Sequence, residues 1–123
     1  MLIAAYVVLG IAALLGSGLA VIHLQTNGAM APPWKLAALH GLVAVAGLGC
    51  LPLALQGPPR GLGHGTAAFG TIAAALIAAA AVLGAGFLAA RLRGRTPSGL
   101  LIVVHATLAV TGFVILTAYA LAG

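Results

Sequence analysis

The chain has 123 residues, 63% of them hydrophobic and 4% charged, with five Lys and Arg and neither Asp nor Glu. At a mean hydropathy of +1.27, it has too few charges to cover a soluble domain, which places it among membrane proteins. The missing carboxylates exclude carboxylate proton relays, carboxylate-bridged metal pairs, calcium sites and glycosidase-type acid pairs.

Four charge-free runs follow one another: Leu2–Leu24, Leu36–Leu55, Thr66–Ala90 and Gly99–Ala122. At ~1.5 Å per residue, each is long enough to cross a hydrocarbon core of ~30 Å. The first has no basic residue before it and outlasts a signal-peptide core, so it reads as a true helix. It ends with "GSG" at residues 16–18 and with His23. Ser17 falls at about the depth of a histidine in the second run. It is expected to serve helix packing, or a hydrogen bond to a histidine nitrogen, rather than to act as a nucleophile. His23 reads as a headgroup-facing polar residue.

The turn with Pro32, Pro33, Trp34 and Lys35 leads into the second run, where His40 interrupts "LHGLVAVAG". Cys50, the single cysteine, reads as a small apolar filler. Pro52 should kink that helix or end it early. The following loop holds Arg60 and His64 among glycines, a flexible turn with no strand or Walker lysine to make a phosphate cradle. The third run closes on Arg91, Arg93 and Arg95, and the fourth carries His105 in "VHATLAVTG". The expectation is all-α: one domain, a four-helix transmembrane bundle with helices at about 2–24, 36–55, 66–90 and 99–122.

Lys35, Arg91, Arg93 and Arg95 share one side of this topology and Arg60 takes the other. The positive-inside rule then puts the chain in the inner membrane, with loops 25–35 and 91–98 cytoplasmic and both termini outside. Trp34 falls at the inner interface, Tyr6 and Tyr119 near the outer one. The basic residues have no internal counter-charge. Their expected partners are anionic inner-leaflet lipids, other membrane subunits or a second copy, or the carboxylates of a bound ligand. Nothing interleaves aromatics with the basic cluster, so no nucleic acid is expected.

The two halves, about 1–58 and 66–123, look like copies of one helical hairpin. "GSGLAVIHLQTNGAMAPPWKLAALHGLVAVAG" and "GAGFLAARLRGRTPSGLLIVVHATLAVTG" each run from Gly-x-Gly through a polar residue (His23 or Arg91) and a proline turn (Pro32 or Pro97). Eight residues after that proline comes His40 or His105. The histidines then lie at one depth, about two turns from the cytoplasmic ends. Positions +4, +7 and +11 from each are Ala44, Gly47 and Leu51, or Ala109, Gly112 and Leu116, on a single helical face.

Two imidazoles at equal depth can ligate one haem iron from both sides, with His40 and His105 as metal ligands. Ala44, Gly47, Ala109 and Gly112 leave room for a flat macrocycle, and Lys35, Arg91, Arg93 and Arg95 can hold its propionates. With these residues the chain resembles small four-helix transmembrane b-type cytochromes, the cytochrome b561-like proteins and the haem-bearing anchors of respiratory dehydrogenases. The resemblance implies haem b and electron transfer between a partner subunit and the quinone pool, with no enzyme activity of the chain alone. One matched pair implies one haem. The alternative is a non-catalytic accessory subunit of a larger membrane complex, binding lipid or neighbouring helices and holding either no cofactor or a pigment. In that case the small residues serve helix approach and the histidines hydrogen-bond a neighbouring helix. A small transporter or channel draws support only from the two-fold repeat.

Overall fold

A computed structural model describes residues 1–58 and 60–122, with His64 described for its backbone alone. Four α-helices account for the described architecture: α1 (Leu2–Gln25), α2 (Trp34–Leu55), α3 (Phe69–Leu92) and α4 (Gly99–Leu121). A 3₁₀ turn at Leu62–His64 lies between α2 and α3. Each α-helix is long and apolar enough to cross a membrane. The protein is an all-α bundle of four candidate membrane spans, as composition and run length require.

The helix limits differ from expectation by a few residues, each for a local reason. Helix α2 begins at Trp34 because Pro33, with φ −54° and ψ 121°, is the cap that precedes its first turn. Pro52 does not end this helix, which continues to Leu55. Helix α3 begins only at Phe69, since Thr66–Ala68 form a turn, and it runs on through Arg91 to Leu92. It stops at Gly94, whose φ of +68° lets Arg95 N–H return to Ala90 O at 2.9 Å. Ser98 then opens α4 by accepting a hydrogen bond from Leu101 N–H at 3.3 Å.

Helices α1 and α2 pack as one hairpin, α3 and α4 as another, and the hairpins meet less extensively along α1–α4 and α2–α3. Among the described residues, α1 and α3 make no close backbone approach, nor do α2 and α4. The helices therefore stand in the cyclic order α1, α2, α3, α4, with α2 diagonal to α4. One end of the bundle, the hairpin end, carries the turns 26–33 and 93–98. The other, the termini end, carries residues 2 and 121 and the α2–α3 connection.

The same contacts recur in each hairpin. Gly47 of α2 lies against Leu9 of α1, and Gly112 of α4 against Leu76 and Ile77 of α3. Ala5, Leu51, Ala73 and Leu116 are each fully buried. Tyr6 stacks on Phe113 between the hairpins, ring centres 5.1 Å apart. Thr117 Oγ1 donates to Phe113 O at 2.8 Å, leaving lone pairs to accept from the Tyr6 hydroxyl at 3.4 Å. In lipid the gain from these contacts is dispersion and close fit, because hydrocarbon tails are as apolar as leucine.

The burial is one-sided. Ala12 and Ala80 are the last buried residues of α1 and α3, Gly47 and Gly112 the first of α2 and α4. From the histidines to the hairpin end, no described residue is buried. In the termini half Leu9, Leu51, Ile77 and Leu116 pack into one cluster with Ala5, Ala73 and Tyr119.

Candidate functional site: a paired-imidazole centre

His40 comes from α2 and His105 from α4, the two diagonal helices, and both side chains are half-buried. Their ring centres lie 6.2 Å apart, with the planes inclined at 81°. No helix stands between them. Sequence spacing alone gave their equal depth; the diagonal placement carries both rings to the bundle interior.

Each ring is held by the other helix of its own hairpin. His40 Nδ1 lies 2.9 Å from Ala12 O, and His105 Nδ1 lies 2.8 Å from Ala80 O. A carbonyl oxygen only accepts, so Nδ1 carries the proton in both rings and donates it. In the neutral ring Nε2 then keeps its lone pair, the form in which imidazole binds a metal. Neither Nε2 has a hydrogen-bond partner among the described residues. Since no enclosed side-chain nitrogen or oxygen lacks a partner there, both Nε2 atoms are open to contact from outside the chain.

A glycine makes the first of these hydrogen bonds possible. Within α1, Ala12 O also receives the N–H of residue 16, one turn on, and residue 16 is glycine. A Cβ at Gly16 would stand 2.9 Å from His40 Cε1, where the ring now reaches the carbonyl. In the second hairpin a Cβ at Gly84 would stand 3.4 Å from His105 Cε1. Making room for the ring is thus the role of Gly16, while at Gly84 the contact would be an ordinary one. The second glycines of the two Gly-x-Gly segments, Gly18 and Gly86, face open space. The pairing Ala-x-x-x-Gly with His was present in both halves of the sequence, but which carbonyl met which ring required the helix neighbours.

The surroundings of the two rings differ in a further respect. Phe87 approaches His105 edge-on, with centres 5.3 Å apart. Leu19 stands where a counterpart would fall in α1.

The remaining candidate residues lie in different places. Ala44 and Ala109 are half-buried, one turn from the histidines toward the core. Gly47 and Gly112, a further turn away, are taken up by hairpin packing against Leu9 and Ile77 and do not face each other. Lys35, Arg91, Arg93 and Arg95 are exposed at the hairpin end. Arg91 Nη1 donates to Pro32 O at 2.9 Å, tying α3 to the turn of the other hairpin. Ser17 does not bond a histidine: its hydroxyl turns back to Ala13 O at 2.9 Å on its own helix, and its side chain is exposed. His23 is half-buried beside Gly28. The His64 side chain lies outside the described residues. Cys50 is half-buried against the core, where it acts as a small apolar group.

Groups of three or more potential metal-ligating side chains are absent among the described residues, so a metal here would be held by two protein ligands. The separation suits that number. With both Nε2 atoms turned toward one ion, twice ~2 Å for a nitrogen–metal bond plus the radii of two five-membered rings would come close to the observed 6.2 Å between centres. No family model, curated protein or solved structure matches this chain.

Proposed function

We propose that the protein is a small membrane b-type cytochrome, or a haem-bearing anchor of a larger complex, holding one haem between His40 and His105. The observation that carries the reading is two imidazoles on diagonal helices, each Nδ1–H donated to a backbone carbonyl and each Nε2 free, with ring centres 6.2 Å apart. An imidazole so anchored is a fixed and more basic ligand. The residues around the pair fit a macrocycle. Toward the core, the first turn beyond the rings offers Ala12, Ala44, Ala80 and Ala109 rather than large side chains. Toward the hairpin end no described residue is fully buried.

Bound there, haem supplies one-electron exchange between ferric and ferrous iron. The chain's part is to fix both ligand rings through Ala12 O and Ala80 O and to surround the centre with uncharged helices. Lys35, Arg91, Arg93 and Arg95 supply positive charge at the hairpin end, where propionates would find no competing carboxylate. Electrons would pass between a partner subunit and the quinone pool. The matched contacts of the two hairpins support their origin as copies of one unit. The basic excess at the hairpin end supports a cytoplasmic position for turns 26–33 and 93–98.

The expected outcome is a purified protein with a Soret band that His40→Ala and His105→Ala each abolish, with retention of the folded state checked by circular dichroism. A colourless protein from haem-replete cells overturns the proposal.

A further inference from the structure

The two imidazoles share one hydrogen-bond scheme, yet they are steadied by different neighbours. A ring tethered at Cβ and through Nδ1–H to a carbonyl can still tilt about the line joining those two atoms. For His40 the backbone of α1 limits that tilt, since a Cβ on Gly16 would stand 2.9 Å from Cε1 and 3.3 Å from Nδ1. His105 stands farther from α3, where a Cβ on Gly84 would be 3.4 Å from Cε1 and 3.9 Å from Nδ1.

Phe87, three residues beyond Gly84 on α3, meets the His105 ring with centres 5.3 Å apart and planes inclined at 64°. That is an edge-on contact, a favoured approach of two flat rings. The repeat puts Leu19 at the matching position of α1, three residues beyond Gly16, and a leucine has no ring edge to offer. The aromatic is therefore present only beside the imidazole whose backbone seat is looser. Phe87 is half-buried, in the half of the bundle where no described residue is fully buried, so core filling does not account for it.

We infer that Phe87 is a positioning residue, which holds the His105 ring crosswise to His40 at the observed inclination of 81°. The seating of the ring belongs to the chain alone, whereas its electronic consequence rests on the haem proposed above. Each axial imidazole of a ferric low-spin haem raises the iron d orbital that lies across its ring plane. Near-parallel rings raise the same orbital, separate the pair and give three resolved lines in electron paramagnetic resonance. Crossed rings raise one orbital each, leave the pair nearly equal, and give a single strongly shifted low-field feature. By fixing the second ring, Phe87 sets which of these the centre has without touching the iron.

The test uses the full chain in detergent and reads the seating and the spectrum separately. In haem-free protein carrying isotope-labelled histidine, nuclear magnetic resonance follows proton exchange at Nδ1–H of each ring. Phe87→Leu, which installs the residue of the other half, should speed exchange at His105 about two- to tenfold, the factor one aromatic edge contact supplies. Exchange at His40 should not change. Phe87→Tyr keeps the ring edge and should keep exchange slow. In haem-loaded protein the wild type should show the single low-field feature, and Phe87→Leu should move it toward the three-line spectrum. Phe87→Tyr should stay with the wild type, and Leu88→Ala, an exposed neighbour, should alter neither readout. A wild type that takes up no haem defeats the haem reading, and the exchange measurement then decides the role of Phe87 by itself. Unchanged exchange in Phe87→Leu overturns the inference, as does equal acceleration at both histidines or in Leu88→Ala. So does a three-line spectrum in the wild type, or a spectrum indifferent to Phe87→Leu.

Discussion

His40 is seated more tightly than His105, and the difference can be measured. A methyl group on Gly16 would lie 2.9 Å from His40 Cε1, inside any real carbon contact, whereas on Gly84 it would lie 3.4 Å from His105, an ordinary one. Replacing a helical glycine by alanine otherwise favours the helix by about 0.5–1 kcal/mol. Gly84→Ala should therefore leave thermal stability equal or slightly higher, with the Soret band of the proposed haem intact. Gly16→Ala should displace the His40 ring from Ala12 O, lower the melting midpoint and shift or remove that band. Equal behaviour of the two variants would refute the seating described for His40. The histidines and the paired glycines were legible in the repeat, because identity and spacing survive in a sequence. Their relation was not, because a backbone carbonyl carries no residue signature and becomes visible only when the neighbouring helix is known.

Within each hairpin the close approach is made by one glycine and one large partner. A Cβ on Gly47 would meet Leu9 Cγ at 2.8 Å and the Leu9 backbone nitrogen at 3.2 Å. On Gly112 it would meet Ile77 Cγ1 at 2.8 Å and Ala73 O at 3.2 Å. Backbone cannot turn aside as a side chain can, so Gly47→Ala and Gly112→Ala should each cost about 1–3 kcal/mol through overpacking. Gly49→Ala, which faces open space, should be neutral or mildly stabilising. Thermal or denaturant unfolding in detergent checks all three. The sequence grouped Gly47 and Gly112 with the histidines, since offsets of seven residues share a helical face. It could not tell that this face, two turns beyond the rings, is turned onto the adjacent helix. The helix limits were legible within a few residues. Composition marks the apolar runs, but the turn at Thr66–Ala68 and the cap at Pro33 depend on backbone angles that hydropathy does not encode.

For the molecule as a whole, connectivity fixes which loops share a side. Cysteines introduced on a Cys50→Ala background should react with a membrane-impermeant thiol reagent from one face at positions 27 and 94, and from the opposite face at position 63. The basic excess near the first two predicts that these are reached only after the inner face is opened. Labelling of positions 27 and 63 from the same side would refute the four-span topology. The whole-chain fold was the most legible property, because four charge-free runs in a chain without acids admit few other arrangements. The placement of the buried residues was the least legible, because the Ala- and Gly-rich runs look alike from end to end and differ only in what stands opposite them.

That placement makes the bundle resemble a tuning fork. The two hairpins are clamped at the base by Leu9, Leu51, Ile77 and Leu116, and the stacked Tyr6 and Phe113 brace the same half. Beyond the imidazoles no described residue is fully buried, and one hydrogen bond, from Arg91 to Pro32, links the two hairpins at their tips. If the haem proposed above is the guest, this less tightly packed half is where it would enter an already folded chain without unthreading any helix. Loading after insertion into the bilayer, rather than during it, is the assembly order such a shape permits.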